Sequence, residues 1–158
     1  MATSLKNLSD QSLKEPVDIS KKTFGIVVSE WNDEITESLY EGAYSTLVSN
    51  GADKERIIRK NVPGSFELTL AAQWMAQEKD VDAVICLGCV IQGETRHFDF
   101  ICDAVAQGIT NVGLKYNKPV IFGVLTPDNM QQALDRAGGK FGNKGDEAAI
   151  TAVKMLGF

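Results

Sequence analysis

The sequence predicts an α/β fold: a three-layer αβα sandwich around a four-stranded parallel sheet. Three observations carry that prediction. Short apolar runs rich in β-branched residues recur at residues 24–28, 57–62, 83–90 and 120–125. Between them lie segments whose apolar residues return every three to four positions, the period of an amphipathic helix. Glycine, proline or a capping residue punctuates most of the junctions. Buried strands alternating with amphipathic helices imply parallel pairing with both faces of the sheet covered.

Taken in order, residues 1–22 carry many Ser, Lys and Asp and few large apolar groups. They read as an N-terminal tail, extended or partly disordered, ahead of a single domain at 23–158. Phe24-Gly25-Ile26-Val27-Val28 is the first strand. Asn32 or Asp33 then caps a helix in which Ile35, Leu39, Ala43 and Leu47 share a face, and Gly51 stops it. The second strand, 57–62, is weaker and ends at Pro63-Gly64. A helix from about Phe66 places Leu70, Trp74 and Met75 on its apolar side. The third strand, 83–90, is almost wholly apolar. A helix beginning at Arg96 or His97 holds Ile101, Val105 and Ile109 in phase. Pro119 leads into the fourth strand. Thr126 or Asp128 caps the next helix, with Met130, Ala133, Leu134 and Ala137, which Gly138-Gly139 ends. Ala148, Ala149, Ala152, Val153 and Leu156 mark a last helix. Right-handed crossovers between such units give an open, flavodoxin-like sandwich.

The bulk numbers exclude some functions. A formal net charge of -5 argues against nucleic acid or an anionic membrane as partner. No segment has the apolar length of a membrane span, and the polar start MATSLKNLSDQSLKEP lacks the apolar core of a secretion signal. Three cysteines, Cys86, Cys89 and Cys102, are a poor disulfide framework and fit a reducing cytoplasm. Cys86 and Cys89 have redox-type spacing but lie in a strand rather than at a helix N-terminus, and no regularly spaced further ligands accompany them. They read as packing residues, with no metal implied.

Ligands of open parallel sheets bind beyond the carboxyl ends of the strands. That rule places residues 29–32, 63–67, 91–97 and 126–127 on one rim. Within Gly88-Cys-Val-Ile-Gln-Gly-Glu-Thr95 two glycines have P-loop spacing, but Glu94 stands where the phosphate-binding lysine belongs. A nucleoside triphosphate is therefore rejected. What remains is a strand-to-helix turn with Gly93 and Thr95, either a plain capped turn or a site for one phosphate. His97, the single histidine, is either structural or a proton shuttle on the rim. Arg136, Lys140 and Lys144 are either a solvated helix end or a phosphate clamp. Trp31 is a candidate platform for a flat heterocycle, and Phe66-Glu67 is either a core residue with a first-turn carboxylate or a stacking and hydrogen-bonding pair.

Four segments together resemble the lumazine synthase family. They are Trp31-Asn32, Val62-Pro-Gly-Ser-Phe-Glu-Leu68, Gly88-Cys-Val-Ile-Gln-Gly-Glu-Thr-Arg-His-Phe-Asp99, and Pro119-Val-Ile-Phe-Gly-Val-Leu-Thr126 with Arg136-Ala-Gly and Gly142-Asn-Lys-Gly145. The resemblance runs from Phe24 to the C-terminus. It implies the condensation of 5-amino-6-ribitylamino-uracil with 3,4-dihydroxy-2-butanone 4-phosphate, without cofactor or metal, to give 6,7-dimethyl-8-ribityllumazine, phosphate and water. It implies that Trp31 stacks on the pyrimidine, and that Ser65 and Glu67 bind the ribityl chain beside Asn32 and Phe66. Backbone at Cys89, Val90 and Ile91 would meet the heterocycle edge. Glu94 and Thr95 would form the phosphate loop with Arg136 as counter-charge, and His97 would transfer protons. Phe122, Lys144 and Arg136 match positions that reach the site from a neighbouring subunit.

The resemblance also implies a homo-oligomer, a pentamer or twelve pentamers in a 60-subunit icosahedral shell, with riboflavin synthase as a further partner. Residues 138–145 lack the extra residues that some pentamer-only members carry, which favours the shell. Trp31 replaces a frequent phenylalanine, and its larger face suggests tighter binding of flavins such as riboflavin. Thr69 stands where the family often has proline, and Cys89 is a swap at a backbone-contact position. Two rival readings use the same fold: a non-catalytic flavin or phosphate-ligand carrier, and a shell protein with a vestigial site. His97 and the Arg136/Lys144 cluster weigh against the carrier, and the intact set of site residues weighs against the shell protein.

Overall fold

A computed structural model describes residues 7–10, 13 and 15–158. Strand β1 spans Phe24–Ser29, β2 Ile57–Val62, β3 Ala83–Cys89 and β4 Val120–Leu125. All pairings among them are parallel, in the order β2-β1-β3-β4. Helix α1 spans Asp33–Ser49, α2 Leu68–Gln77 and α3 His97–Tyr116. A five-residue α4, Met130–Leu134, precedes the last helix, α5, Lys144–Leu156. The expected three-layer α/β sandwich is therefore present.

The alternation of strand side chains divides the core in two. Phe24, Ile26, Val28, Ile85, Leu87 and Ile121 face α1 and α5, where Ile35, Leu39, Ala43, Leu47, Ala149 and Val153 meet them. Val27, Val84, Cys86 and Val124 face α2 and α3, against Leu68, Ala72, Val105 and Ile109. Every residue of β1 and β3 is buried, so neither strand shows an alternating sequence. Edge strand β2 does alternate, which is why its apolar signal is weaker.

Helices α1 and α5 pack with almost no space between them. A Cβ on Gly145 would clash with the Leu39 carbonyl oxygen, and one on Gly42 would lie 2.5 Å from Asp146 Oδ1. Asn143 reinforces this seam. Its Oδ1 accepts from Gly145 N (2.7 Å), capping α5, while its Nδ2 donates to Ser38 O (2.9 Å) on α1.

Three expectations are corrected. The helix after β4 is capped by neither Thr126 nor Asp128: Asn129 Oδ1 accepts from Gln132 N (3.0 Å). Thr126 precedes Pro127, which disfavours helical backbone before it. That helix also stops at Leu134, so Ala137 belongs to a strand. Ala137–Gly139 (β5) and Gly142–Asn143 (β6) form a small antiparallel hairpin. Gly138 and Gly142 have φ of +104° and +79°, which glycine adopts without a side-chain penalty. Finally, Leu70 (50% exposed) and Trp74 (59%) point outward, and only Met75 of that trio is buried.

Before β1, Leu8 is buried, its N–H donates to Phe141 O (2.7 Å), and Ser9 Oγ accepts from Asn143 N (2.9 Å). Ile19 is buried in the core against α1 and α5. Residues 1–6, 11, 12 and 14 of the expected tail lie outside the described residues.

Candidate active site

A cleft of about 770 Å³ opens at the carboxyl ends of β1, β2 and β3. Three of the four rim loops supply its walls: Trp31 and Asn32 from the first, Ser65, Phe66 and Glu67 from the second, and Cys89, Val90, Ile91, Gly93, Thr95 and His97 from the third. Phe98 and Ile101 on α3 complete it. Trp31 is 73% exposed and Phe66 54%, so two aromatic faces stand at the mouth.

The backbone explains where Trp31 stands. Glu30 N donates to Val62 O (2.8 Å) and Trp31 N to Pro63 O (3.2 Å), so the β1–β2 pairing runs past the end of both strands. Asn32 then turns the chain with φ +60° and ψ +51°, a left-handed conformation that asparagine tolerates better than most residues. Its side chain does not cap α1. Instead Nδ2 donates to Cys89 O (2.9 Å) across the cleft floor. Asn32 thus ties the Trp31 loop to the end of β3.

At the third loop, Val90 N donates to Leu125 O (2.9 Å) and Gln92 N to Pro127 O (3.0 Å). In an extended chain successive peptide groups point to opposite sides. With 90 and 92 engaged by the β4 side, the Ile91 peptide is directed toward the cleft. Nothing lies within 4 Å of where a Gly93 Cβ would be, so the turn leaves open space. Thr95 Oγ1 accepts a long hydrogen bond from His97 N (3.4 Å), which leaves its hydroxyl hydrogen for a ligand. His97 is the first residue of the 20-residue α3, whose N-terminal end attracts anions. Its ring is exposed beside the cleft, and Glu94 is exposed on the same turn without lining it.

Burial pushes the thiols of Cys86 and Cys89 up to about 12. Both stay protonated at neutral pH and act as small apolar groups. Unfolded thiols ionise near ~8.5, so the stability their burial contributes is present below that pH and is lost as pH rises toward about 12. Thiol labelling of the native protein at mildly alkaline pH is expected to modify the half-buried Cys102 first. Equal rates at all three cysteines would contradict this burial.

Three site residues predicted from the sequence lie elsewhere. Phe122, Arg136 and Lys144 line a second cleft, of about 300 Å³, with Leu8, Thr126, Pro127 and Phe141. The two clefts share no lining residue. Arg136 Nη1 donates to Gln132 O (3.0 Å), and the guanidinium lies 4.8 Å from the Phe141 ring centroid. Lys144 Nζ pairs with Glu147 Oε1 at 2.8 Å. Lys144 N donates to Arg136 O (2.8 Å), so one hydrogen bond joins the backbones of the two cationic residues.

Some contributors were not visible in the sequence. Ser29 is expected on the rim, but nothing in the sequence shows that its hydroxyl is fully buried. Asn143 and Gly145 flank Lys144 within a short Gly-Asn-Lys-Gly run, and only the α1–α5 seam reveals why each is needed.

Comparison with known proteins bears on what this cleft does. A model of the 6,7-dimethyl-8-ribityllumazine synthase family matches residues 21–158. The 6,7-dimethyl-8-ribityllumazine synthase of Cytophaga hutchinsonii is 69% identical over 156 residues, covering 99% of this chain and 98% of the relative. The enzymes of the same name from Parabacteroides distasonis and Flavobacterium johnsoniae are each 56% identical, covering 100% and 98% of this chain and 99% and 82% of their own lengths. An aromatic-walled cleft at the carboxyl rim, with the four motifs in order along the chain and similarity this extensive, admits one assignment: the chain belongs to the 6,7-dimethyl-8-ribityllumazine synthase family.

Proposed function

We propose that this protein condenses 5-amino-6-ribitylamino-uracil with 3,4-dihydroxy-2-butanone 4-phosphate to form 6,7-dimethyl-8-ribityllumazine, a step of riboflavin biosynthesis. The observation that carries the reading is the composition of the large cleft. It places an exposed indole, a serine and a carboxylate, and a helix N-terminus bearing His97 around one space. The indole stacks on the pyrimidine, with Phe66 beside it. Ser65, Glu67 and Asn32 flank the ribityl chain. Backbone at Cys89, Val90 and Ile91 meets the heterocycle edge. Thr95 and the start of α3 receive the phosphate, with Glu94 on the same turn.

The amine attacks the ketone and water leaves as the imine forms. Loss of a proton and of phosphate follows, and the second nitrogen then closes the ring with loss of water. Each step moves a proton, and His97 carries it. Much of the acceleration comes from holding two reactants in contact. His97→Ala is therefore expected to lower kcat by about 100-fold, the lower end of general acid–base contributions, without abolishing turnover. Unchanged kcat would remove His97 from the mechanism.

Arg136, Lys144 and Phe122 complete the site from a neighbouring subunit in a pentamer, and twelve pentamers assemble into a 60-subunit shell. Separation of the two clefts within one chain supports the sharing. A native mass of five subunits would refute the shell. Residues 23–158 act as the functional domain, in the cytoplasm, passing product to riboflavin synthase. Exposure of Trp31 supports flavin binding in the same cleft. Riboflavin is expected to quench the fluorescence of the protein, and Trp31→Ala to remove most of that quenching.

The test is incubation with both substrates, following lumazine fluorescence and released phosphate. Product above the spontaneous rate is expected; its absence would overturn the enzyme reading and leave a carrier or shell protein.

A further inference from the structure

Two buried hydroxyls flank Gly88 beside the large cleft. Ser29, the last residue of β1, is fully buried, and Ser65, which lines the cleft, is 6% exposed. Neither Oγ has a hydrogen-bond partner among the described residues. Gly88 on β3 lies between them. A Cβ there would be 2.6 Å from Ser65 Oγ, 2.9 Å from Leu68 Cδ1 and 3.4 Å from Ser29 Oγ. The missing side chain at 88 thus makes the one space that both hydroxyls share.

A hydroxyl removed from water without a partner is costly to the folded state. Two of them border one space at Gly88, one on a residue that lines the ligand cleft, and together they form an incomplete chain of donors and acceptors. A serine hydroxyl is both donor and acceptor. Ser65 can therefore donate to a ligand oxygen while its own lone pair accepts from a group behind it, or accept from the ligand while donating backward. Rotation about one Cα–Cβ bond reorients either hydroxyl within the space at Gly88.

We propose that Ser29 is a positioning residue for the polyol-bearing substrate, acting through Ser65. A ligand hydroxyl in the cleft pairs with Ser65 Oγ, and Ser65 Oγ pairs with Ser29 Oγ behind it. Binding then satisfies both buried hydroxyls at once, which links recognition of the polyol to the end of β1. This rests on the reading that the cleft binds 5-amino-6-ribitylamino-uracil through Ser65.

The experiment is a double-mutant cycle in the full chain, with Ser29→Ala, Ser65→Ala and the double variant, and Thr36→Val as control. Thr36 Oγ1 is also buried and unpartnered, but Thr36 lines neither cleft. Ser29→Ala is expected to raise KM for the ribitylamino-uracil about 10-fold, the worth of roughly one neutral hydrogen bond. Its kcat and its KM for the ketone phosphate stay as in the wild type. The double variant binds no worse than Ser65→Ala alone, because Ser29 acts through that hydroxyl. Unliganded Ser29→Ala melts at the wild-type temperature or above it, since an unpaired hydroxyl has been removed, and Thr36→Val leaves both KM values unchanged.

A Ser29→Ala enzyme with unchanged KM, or losses that add to those of Ser65→Ala, would overturn the proposal. So would a fall in melting temperature with equal losses for both substrates, the sign of a packing defect. Wild-type protein that forms no lumazine would instead overturn the reading beneath it, and this proposal with it.

Discussion

Gly145→Ala is expected to destabilise the protein by about 3 kcal/mol, the upper range for overpacking a tight interior. At this size that lowers Tm by about 10 °C. The reason is local and severe. The added methyl would overlap the Leu39 carbonyl oxygen, a backbone atom inside α1 that no rotamer change can move aside. Helix α5 must shift away from α1, and Asn143 at its N-terminus then loses its bond to Ser38 O. Lys144 stands between those two residues, so the second cleft is displaced as well. Thermal unfolding followed by circular dichroism measures the effect. A Tm within about 2 °C of wild type, under 1 kcal/mol, would show that the seam is looser than its geometry. Gly42→Ala, whose neighbours are side-chain atoms of Asn143 and Asp146, is expected to cost less because those atoms can move.

Arg136→Gln is expected to reduce kcat/KM about 100-fold through KM for the ketone phosphate, leaving KM for the pyrimidine nearly unchanged. Loss of charge-assisted hydrogen bonds to a phosphate is worth about 3 kcal/mol, and about 1.36 kcal/mol corresponds to tenfold. The arginine is held in one place. Its backbone carbonyl is fixed by Lys144 N, its Nη1 by Gln132 O, and its Cζ lies 4.8 Å from the Phe141 ring centroid. If the site is shared head to tail in a ring, Arg136→Gln and His97→Ala proteins, each impaired alone, are expected to regain activity when unfolded and reassembled together. About a quarter of sites in a random mixture would then combine an intact His97 with an intact Arg136 from its neighbour. Absence of recovery would place both residues in one chain's site.

The two effects arise from parts of the chain that were unequally legible. Helices α1 and α3 announced themselves, because Ile35-Leu39-Ala43-Leu47 and Ile101-Val105-Ile109 repeat the period of the face they bury. Helix α2 did so only in part. Its apolar residues Leu70 and Trp74 suited a core face by spacing, yet they point outward and the core takes Leu68, Ala71, Ala72 and Met75. Hydrophobicity says that a residue tends to be covered, not which surface covers it. The β5–β6 hairpin left no periodic trace in strands of three and two residues, and its glycines passed for a helix stop.

The sequence by itself determined the layer order, the parallel sheet, the rim on which the large cleft opens and the family to which the chain belongs. It could do so because strand and helix periods, turn residues and rim motifs are local, and local patterns survive in one dimension. Only the tertiary structure decided which rim residues share a cleft. It set Trp31, Ser65 and His97 around one space and Arg136, Phe122 and Lys144 around another. It also turned the Asn32 side chain from a helix cap into a tie to Cys89, and brought Ser29 and Ser65 together at Gly88. These are contacts between residues far apart in the chain. They depend on register, on the hand of each crossover and on how closely two backbones approach, none of which a single segment records.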